Sequence, residues 1–293
     1  MANWRYNLHV CYNNLRFWRA KACLMMRRKK QWGLSSEVRD WGRITVSLTS
    51  HGSRIDHVWC AIESIMQQSL PADRIVLWLD EEDRGRGIPE RLRRQMSRGL
   101  EIVYTPHRIG PYKKLIPALE SCKDDVIVTF DDDCIYGSRV LESLISGYLE
   151  YPGSIHAMRF HSVVTDDGLV PAPYSHWHHE VESLEGERYP FFTGVGGVLY
   201  PPGVFDDVAV DCGRFLALSP TADDVWLNAM ALRCGVEVHK CSVGKGVDFV
   251  VNHRVQCSAL GKRNYECGSG NDDSVRAVNE SFGVWDFQNN AVQ

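Results

Sequence analysis

The chain has 293 residues, 44% of them hydrophobic and 24% charged, with a formal net charge of −4, which is the make-up of an ordinary globular protein long enough to bury a real core. No window approaches the roughly 18 consecutive apolar residues of a membrane span, and no apolar stretch behind a short basic start suggests a signal peptide. Its ten cysteines are scattered without a C-x-x-C pair, which argues against a zinc ribbon and for free thiols in a reducing cytoplasm.

Residues 1–43 hold ten Lys or Arg against two acids, a net of +8, so the remainder carries −12. Within this basic end Trp4, Leu8, Cys11, Leu15, Trp18, Ala22 and Met25 recur at steps of four and three, one stripe of an α-helix with Arg5, Arg16, Arg19 and Lys21 around it. Residues 1–42 are therefore expected to form a basic amphipathic helical segment. It suits a helix lying on an anionic membrane surface, with residues 1–30 as the contact and the protein peripheral on the inner face of the cytoplasmic membrane. A helix packed on its own domain or on a second subunit is the equal alternative. Nucleic acid is not expected as a partner, because nothing later supplies a base-reading module.

From Arg43 onward strand and helix alternate. Strands are expected at 44–50, 74–80, 101–105 and 126–130, and helices at 55–66, 89–100, 113–122 and 138–151, with Pro89 at a helix start and Pro117 either starting or interrupting its helix. Four β-branched runs separated by helices predict an α/β fold with a doubly wound, mostly parallel sheet, whose ligands bind beyond the carboxyl ends of the strands. "TSHGSR", "DEEDRG" and "DDDCIYG" all fall at that edge. After Tyr151 glycine, proline and aromatics thicken, and residues 151–293 read as an elaboration of the same unit, giving one domain over 43–293.

"VTFDDDCIYG" sets three acids directly behind an apolar strand. At a strand end residues i and i+2 point the same way, so Asp131 and Asp133 are expected to face one divalent ion while Asp132 faces elsewhere. Hard oxygen ligands suit Mn²⁺ or Mg²⁺, which bridge to substrate phosphates. The plain alternative is an acidic turn or a cap for the helix that follows. Lys113 and Lys114 sit where a cation could meet phosphate, and Lys114 is the chosen candidate. Asp223 and Asp224 stand at a predicted helix start, where acids are favoured in any case and Thr221 or Asp223 could cap. In "FFTGVGGVLYPP", Gly194, Gly196 and Gly197 permit close backbone approach to a ligand; they and Trp226 are candidates for a ligand wall, against a buried strand with a bulge. "SHWHHE" is either a second metal site or surface, and Asn271 with Asp272 is either a helix cap or a substrate contact.

The segments "ITVSLTSHGSRI", "SIMQQSLPADRIVLWLDEED", "GPYKKLIPALE", "VTFDDDCIYG", "FFTGVGGVLYPP" and "PTADDVWLNAMAL" resemble, in this order, bacterial family-2-like glycosyltransferases with the GT-A fold and a D-x-D motif, which build capsule, lipopolysaccharide and other surface glycans. The resemblance spans about residues 43–238. It implies metal-dependent sugar transfer from a nucleotide sugar, UDP-linked by preference, to a glycan or lipid-linked glycan. It also implies that Asp131 and Asp133 hold the metal, with His253 as a candidate further ligand, that Thr49, Ser50, Arg54, Asp80 and Asp132 meet the nucleoside, that Gly194, Gly196, Gly197 and Trp226 form a sugar wall, and that the pair Asp223–Asp224 supplies the general base, Asp224 first, for an inverting displacement. The usual pair has Glu at its first position where this chain has Asp223. Two rivals remain: a haloacid-dehalogenase-type phosphatase with Asp131 as nucleophile, and a non-catalytic peripheral membrane protein.

Overall fold

The computed structural model describes residues 2–26, 33–166, 170–244, 248–252 and 270–285. The apolar runs become strands β1 (Ile44–Thr49), β2 (Arg74–Asp80), β3 (Leu100–Thr105) and β4 (Val126–Thr129). Helices α2 (Trp59–Met66), α3 (Glu90–Met96), α4 (Ile116–Ser121) and α5 (Val140–Glu150) alternate with them. The second half adds short strands β5 (Cys134–Tyr136), β6 (Ile155–Ala157), β7 (Phe160–Ser162), β8 (Thr165–Asp166), β9 (Val170–Pro171), β10 (Pro190–Phe192), β11 (Val198–Tyr200), β12 (Val238–Lys240) and β13 (Phe249–Val251). It also adds helices α6 (Cys212–Leu218), α7 (Asp223–Arg233) and α8 (Gly270–Phe282).

The main sheet has seven strands in the order β12-β6-β11-β4-β1-β2-β3. β3, β2, β1 and β4 are parallel, and β11 alone runs antiparallel, between β4 and β6. The sheet is thus mostly parallel and covered by helices, as expected of a GT-A-like unit. Strands buried on both faces explain why the runs are continuously apolar rather than alternating. Ile44, Val46 and Leu48 enter one core with Ile75, Leu77 and Val128, while Val76, Trp78 and Ile127 point to the other. The polar residues of β1 are satisfied inside: Thr45 Oγ1 donates to Asp125 at 2.5 Å, and Ser47 Oγ accepts from Trp78 Nε1 at 2.9 Å. The described cysteines are free thiols.

One expectation changes here. β4 ends at Thr129, so the alternation of a strand does not run on through Asp131–Asp133; those residues occupy the turn into β5. The amino-terminal helix α1 (Ala2–Met26) docks on the domain through Phe17 and Leu24, with Ala20 beside them, whereas Leu15, Trp18 and Met25 of the predicted stripe are exposed.

Candidate active site

A cavity of about 750 Å³ opens at the carboxyl ends of β1, β2 and β4, lined by Thr49, Arg54, Asp80, Lys113, Lys114, all three of Asp131–Asp133, and Asp223 and Asp224. That is where a doubly wound sheet is expected to bind its ligand. A smaller cavity of about 390 Å³, between β12 and α7, has Glu237 and His239 in its wall but no facing cation–acid clusters.

The aspartate turn is held from both sides. The Asp131 N–H donates to Tyr136 Oη at 2.8 Å, that hydroxyl donates back to the Asp131 carbonyl at 3.1 Å, and the Asn252 N–H donates to the Asp133 carbonyl at 2.7 Å. Asp132 does not turn away from its neighbours. It accepts from Ser50 Oγ at 2.6 Å and from Arg54 Nε at 3.0 Å, and its other oxygen is paired with Arg54 Nη2. The same Nη2 reaches Asp133 at 3.2 Å. Burial disfavours the Arg54 charge, but the two aspartates outweigh it and raise its pKa. Burial, then the charges of Asp131 and Asp132, push the Asp133 carboxyl up to about 6, with Arg54 opposing. Three acids in one turn thus meet two cations, Arg54 at Asp132 and Asp133 and Lys114 at Asp131.

Across the cavity, Asp223 and Asp224 occupy the first turn of α7, whose N-cap residue is Ala222 without a side-chain cap bond, so these acids do not serve as the predicted cap. Asp224 accepts from the Gly194 N–H at 3.1 Å. Desolvation, then the charge of Asp223, raise its carboxyl to about 7, and Lys114 opposes them. One ammonium joins the two acid groups: Lys114 Nζ lies 3.0 Å from Asp131 Oδ1 and 3.1 Å from Asp223 Oδ2. Burial would strip this proton, but the charges of Asp131, Asp223 and Asp224 prevail and lift its pKa well above that of an ordinary lysine. Next to it Lys113 is buried and paired with Asp80.

The glycines divide. Gly194 belongs to the site wall, since a Cβ there would stand 2.5 Å from Lys114 Nζ and 3.3 Å from Asp224 Oδ1. Gly196 and Gly197 do not: with φ of +99° and +109° they form a tight turn, and a Cβ on Gly197 would stand 2.5 Å from Phe130. Trp226 is likewise not a sugar wall. It is fully buried, and its Nε1 donates to the Ala209 carbonyl at 2.8 Å, because two residues along a helix from Asp224 is about 200° round its axis, the opposite face. His253 lies outside the described residues. Asn271 stands in the first turn of α8 and lines the cavity, and Asp272 accepts from the Tyr174 N–H at 2.7 Å.

Sequence reasoning missed Arg159, His161 and Glu180, which complete the far wall. Arg159 pairs with Glu180 at 3.1 Å, and the Glu180 N–H donates to His161 Nδ1 at 2.9 Å. Desolvation, then Arg159 and His179, hold His161 down to about 3, so it is neutral. Glu180 is the described non-glycine residue at positive φ, 56°, the one local signal of a held conformation. The three histidines of "SHWHHE" are exposed, and among the described residues no three His, Cys, Asp or Glu side chains form a self-sufficient metal cage.

Residues 54–199 match the model for Glycosyl transferase family 2. No curated protein matches the chain. Among solved structures, a mannosyltransferase from Pyrobaculum calidifontis in complex with GDP-Man and Mn²⁺ is 15% identical, with 94% of this chain and 78% of that one covered at a TM-score of 0.46. Glucosyl-3-phosphoglycerate synthase from Mycobacterium tuberculosis, in complex with Mn²⁺, UDP and glucosyl-3-phosphoglycerate, is 17% identical over 44% of this chain and 51% of that one, with a TM-score of 0.32. A CMP:2-keto-3-deoxy-manno-octonic acid synthetase complexed with CTP is 14% identical over 76% and 99%, at 0.39. The family match begins at Arg54 and takes in Asp131–Asp133 and Gly194, and Arg54 and the three aspartates line the cavity at the carboxyl edge of the sheet; over residues 54–199 the chain is similar to family-2 glycosyltransferases.

Proposed function

We propose that the enzyme transfers a sugar from a nucleotide sugar, UDP-linked by preference, to a hydroxyl of a glycan or lipid-linked glycan, with inversion at the anomeric carbon. The observation that carries this reading is the single cavity in which Lys114 spans Asp131 on one side and Asp223, next to Asp224, on the other. A leaving group and an attacking hydroxyl need opposite chemistry a few ångströms apart, and the two acid groups offer it.

On the acceptor side Asp224 is the base. Its carboxyl, raised to about 7, is matched to taking a proton near neutral pH, and the Gly194 N–H fixes one oxygen so that the other can meet the hydroxyl. The acceptor oxygen forms the new bond to the anomeric carbon as its proton passes to Asp224. The bond from that carbon to the diphosphate oxygen breaks, and the electron pair leaves with the nucleotide. On the donor side the Asp131 and Asp133 carboxylates fit a hard divalent ion. They are hard oxygen donors, each has given an oxygen to only one protein cation, and burial, then the charges of Asp131 and Asp132, raises Asp133 to about 6. They would hold Mn²⁺ or Mg²⁺, which when bound neutralises charge on the diphosphate. Asp132, fixed by Arg54 and Ser50, supports the turn and stands beside Thr49 and Asp80 where the nucleoside would enter. Arg159 and Glu180, with Asn271, offer polar contacts to the acceptor.

Calorimetry with UDP tests the donor half. Binding is expected to require Mn²⁺ or Mg²⁺ and to vanish in Asp131→Ala/Asp133→Ala. Metal-independent binding of equal strength in that variant would overturn it. A screen of sugar nucleotides for hydrolysis identifies the donor, and the anomeric configuration of the product tests inversion.

A further inference from the structure

Helix α1 presents two apolar faces, and the domain uses one. Phe17 and Leu24 are 4% and 5% exposed and sit in the core against α2, β5 and β13, and the Leu24 carbonyl accepts from Gln67 Nε2 at 3.3 Å. The other face, Leu15, Trp18 and Met25, is 59%, 45% and 60% exposed, with Ala22 between them. Arg16 and Arg19 are exposed beside this stripe. Lys21 Nζ lies 4.8 Å from the Trp18 ring and 5.0 Å from the Trp59 ring, and Arg91 covers the same Trp59 at 3.9 Å, so cations are held among aromatics on this surface. α1 is therefore a helix fixed along one side, displaying large apolar groups interleaved with arginines on the other.

We propose that this face of α1 is an interfacial anchor that seats the protein on an anionic lipid bilayer, with Leu15, Trp18 and Met25 entering the headgroup boundary and Arg16 and Arg19 meeting lipid phosphates. Charge complementarity selects this occupant. Residues 1–43 carry +8 and the rest of the chain −12, so an anionic surface attracts this end and repels the body, which fixes the orientation of approach. A second copy docked face to face would set one such basic end against another. A polyanion without an apolar layer, such as nucleic acid, would leave Leu15 and Met25 in water. The combination of basic and large apolar groups on one exposed helix face fits a lipid interface. The β5–β13 ribbon on which α1 lies also lines the catalytic cavity through Cys134, Phe249 and Val251, so docking brings the cavity beside the lipid surface. The inference stands independently of the transfer reaction proposed above.

Co-sedimentation of the full chain with vesicles of phosphatidylcholine, with and without phosphatidylglycerol, tests it. Binding is expected only to the anionic vesicles. Arg16→Ala/Arg19→Ala is expected to weaken it about thirtyfold at low salt, at about fivefold per cation near such a surface. Leu15→Ser/Met25→Ser is expected to abolish it without lowering the melting temperature, since Phe17 and Leu24 keep the helix docked. Binding to neither vesicle, equal binding to both, or an unaffected Leu15→Ser/Met25→Ser variant would overturn the proposal. So would a dimer in sedimentation velocity that this variant converts to monomer.

Discussion

Replacing Asp224 by Asn separates catalysis from stability with opposite signs. The Asp224 carboxyl is raised from 3.8 to about 7, first by desolvation and then by the charge of Asp223. A carboxyl whose folded pKa is raised favours the fold while protonated, and that contribution is lost as pH climbs from the ordinary value to the folded one. Above pH 7 the ionised form thus costs the fold up to about 4 kcal/mol, and near pH 5 about 1.5 to 2. Asparagine keeps the acceptor for the Gly194 N–H and never ionises. Urea denaturation of the two proteins near pH 5 and near pH 8 is expected to show the variant's advantage growing by about 2–3 kcal/mol across that interval. Its transfer rate is expected to fall by about 10²–10⁴ for want of a base, while the wild-type rate rises with pH to a plateau above about 7. A variant with the same pH dependence of stability as the wild type would refute the assignment of the raised pKa. One that retains its rate would refute the assignment of the base.

Lys114→Met leaves Asp131 and Asp223 without the ammonium that separates them, and a cost of about 3–5 kcal/mol at neutral pH is expected by urea denaturation. Since Lys114 lowers the Asp224 pKa, whatever rate survives should reach its plateau at higher pH. Gly197→Ala meets Phe130 at 2.5 Å from a φ of +109°, and thermal unfolding should report a loss of about 2–4 kcal/mol. Gly194→Ala meets the end of the Lys114 side chain instead, so its loss should appear in the rate more than in stability.

The strands were readable because a sheet buried on both faces demands unbroken β-branched runs, and 74–80 and 126–130 supply them between turn residues. The antiparallel entry of β11 was not, since three residues of Val-Leu-Tyr carry no direction. For the site, the sequence identified chemistry better than orientation. Asp131–Asp133 line the cavity, but alternation assigned Asp132 to the wrong side because the strand stops at Thr129. Trp226 was misplaced against the helical period that its own segment displays, which turns it into the core. Glycine is the least legible residue here: Gly194 admits a site lysine and Gly197 a core phenylalanine, and one letter serves both. Arg159 and Glu180 come from loops whose meeting is a long-range event that no local pattern encodes.

Under the proposed function, the charges around the cavity favour a donor that arrives with a cation. Asp80, Asp131, Asp132, Asp133, Asp223 and Asp224 face Arg54, Lys113 and Lys114, an excess of three negative charges when all are ionised, and Arg159 cancels Glu180. A bare nucleotide diphosphate would enter against that field, whereas a divalent ion would be drawn into it. The protein cations cannot take the ion's place. Arg54 is committed by a fork of bonds to Asp132, a geometry that guanidinium holds rigidly, and Lys113 is buried on Asp80. Lys114, on a flexible stem, is the one of the three that contacts an acid of the aspartate turn and an acid of the base pair together, so a cation that took Asp131 would leave this ammonium to the Asp223–Asp224 side. On this reading donor binding and base position are linked through one lysine, and Lys114 rather than any aspartate is the side chain on which the two halves of the reaction meet.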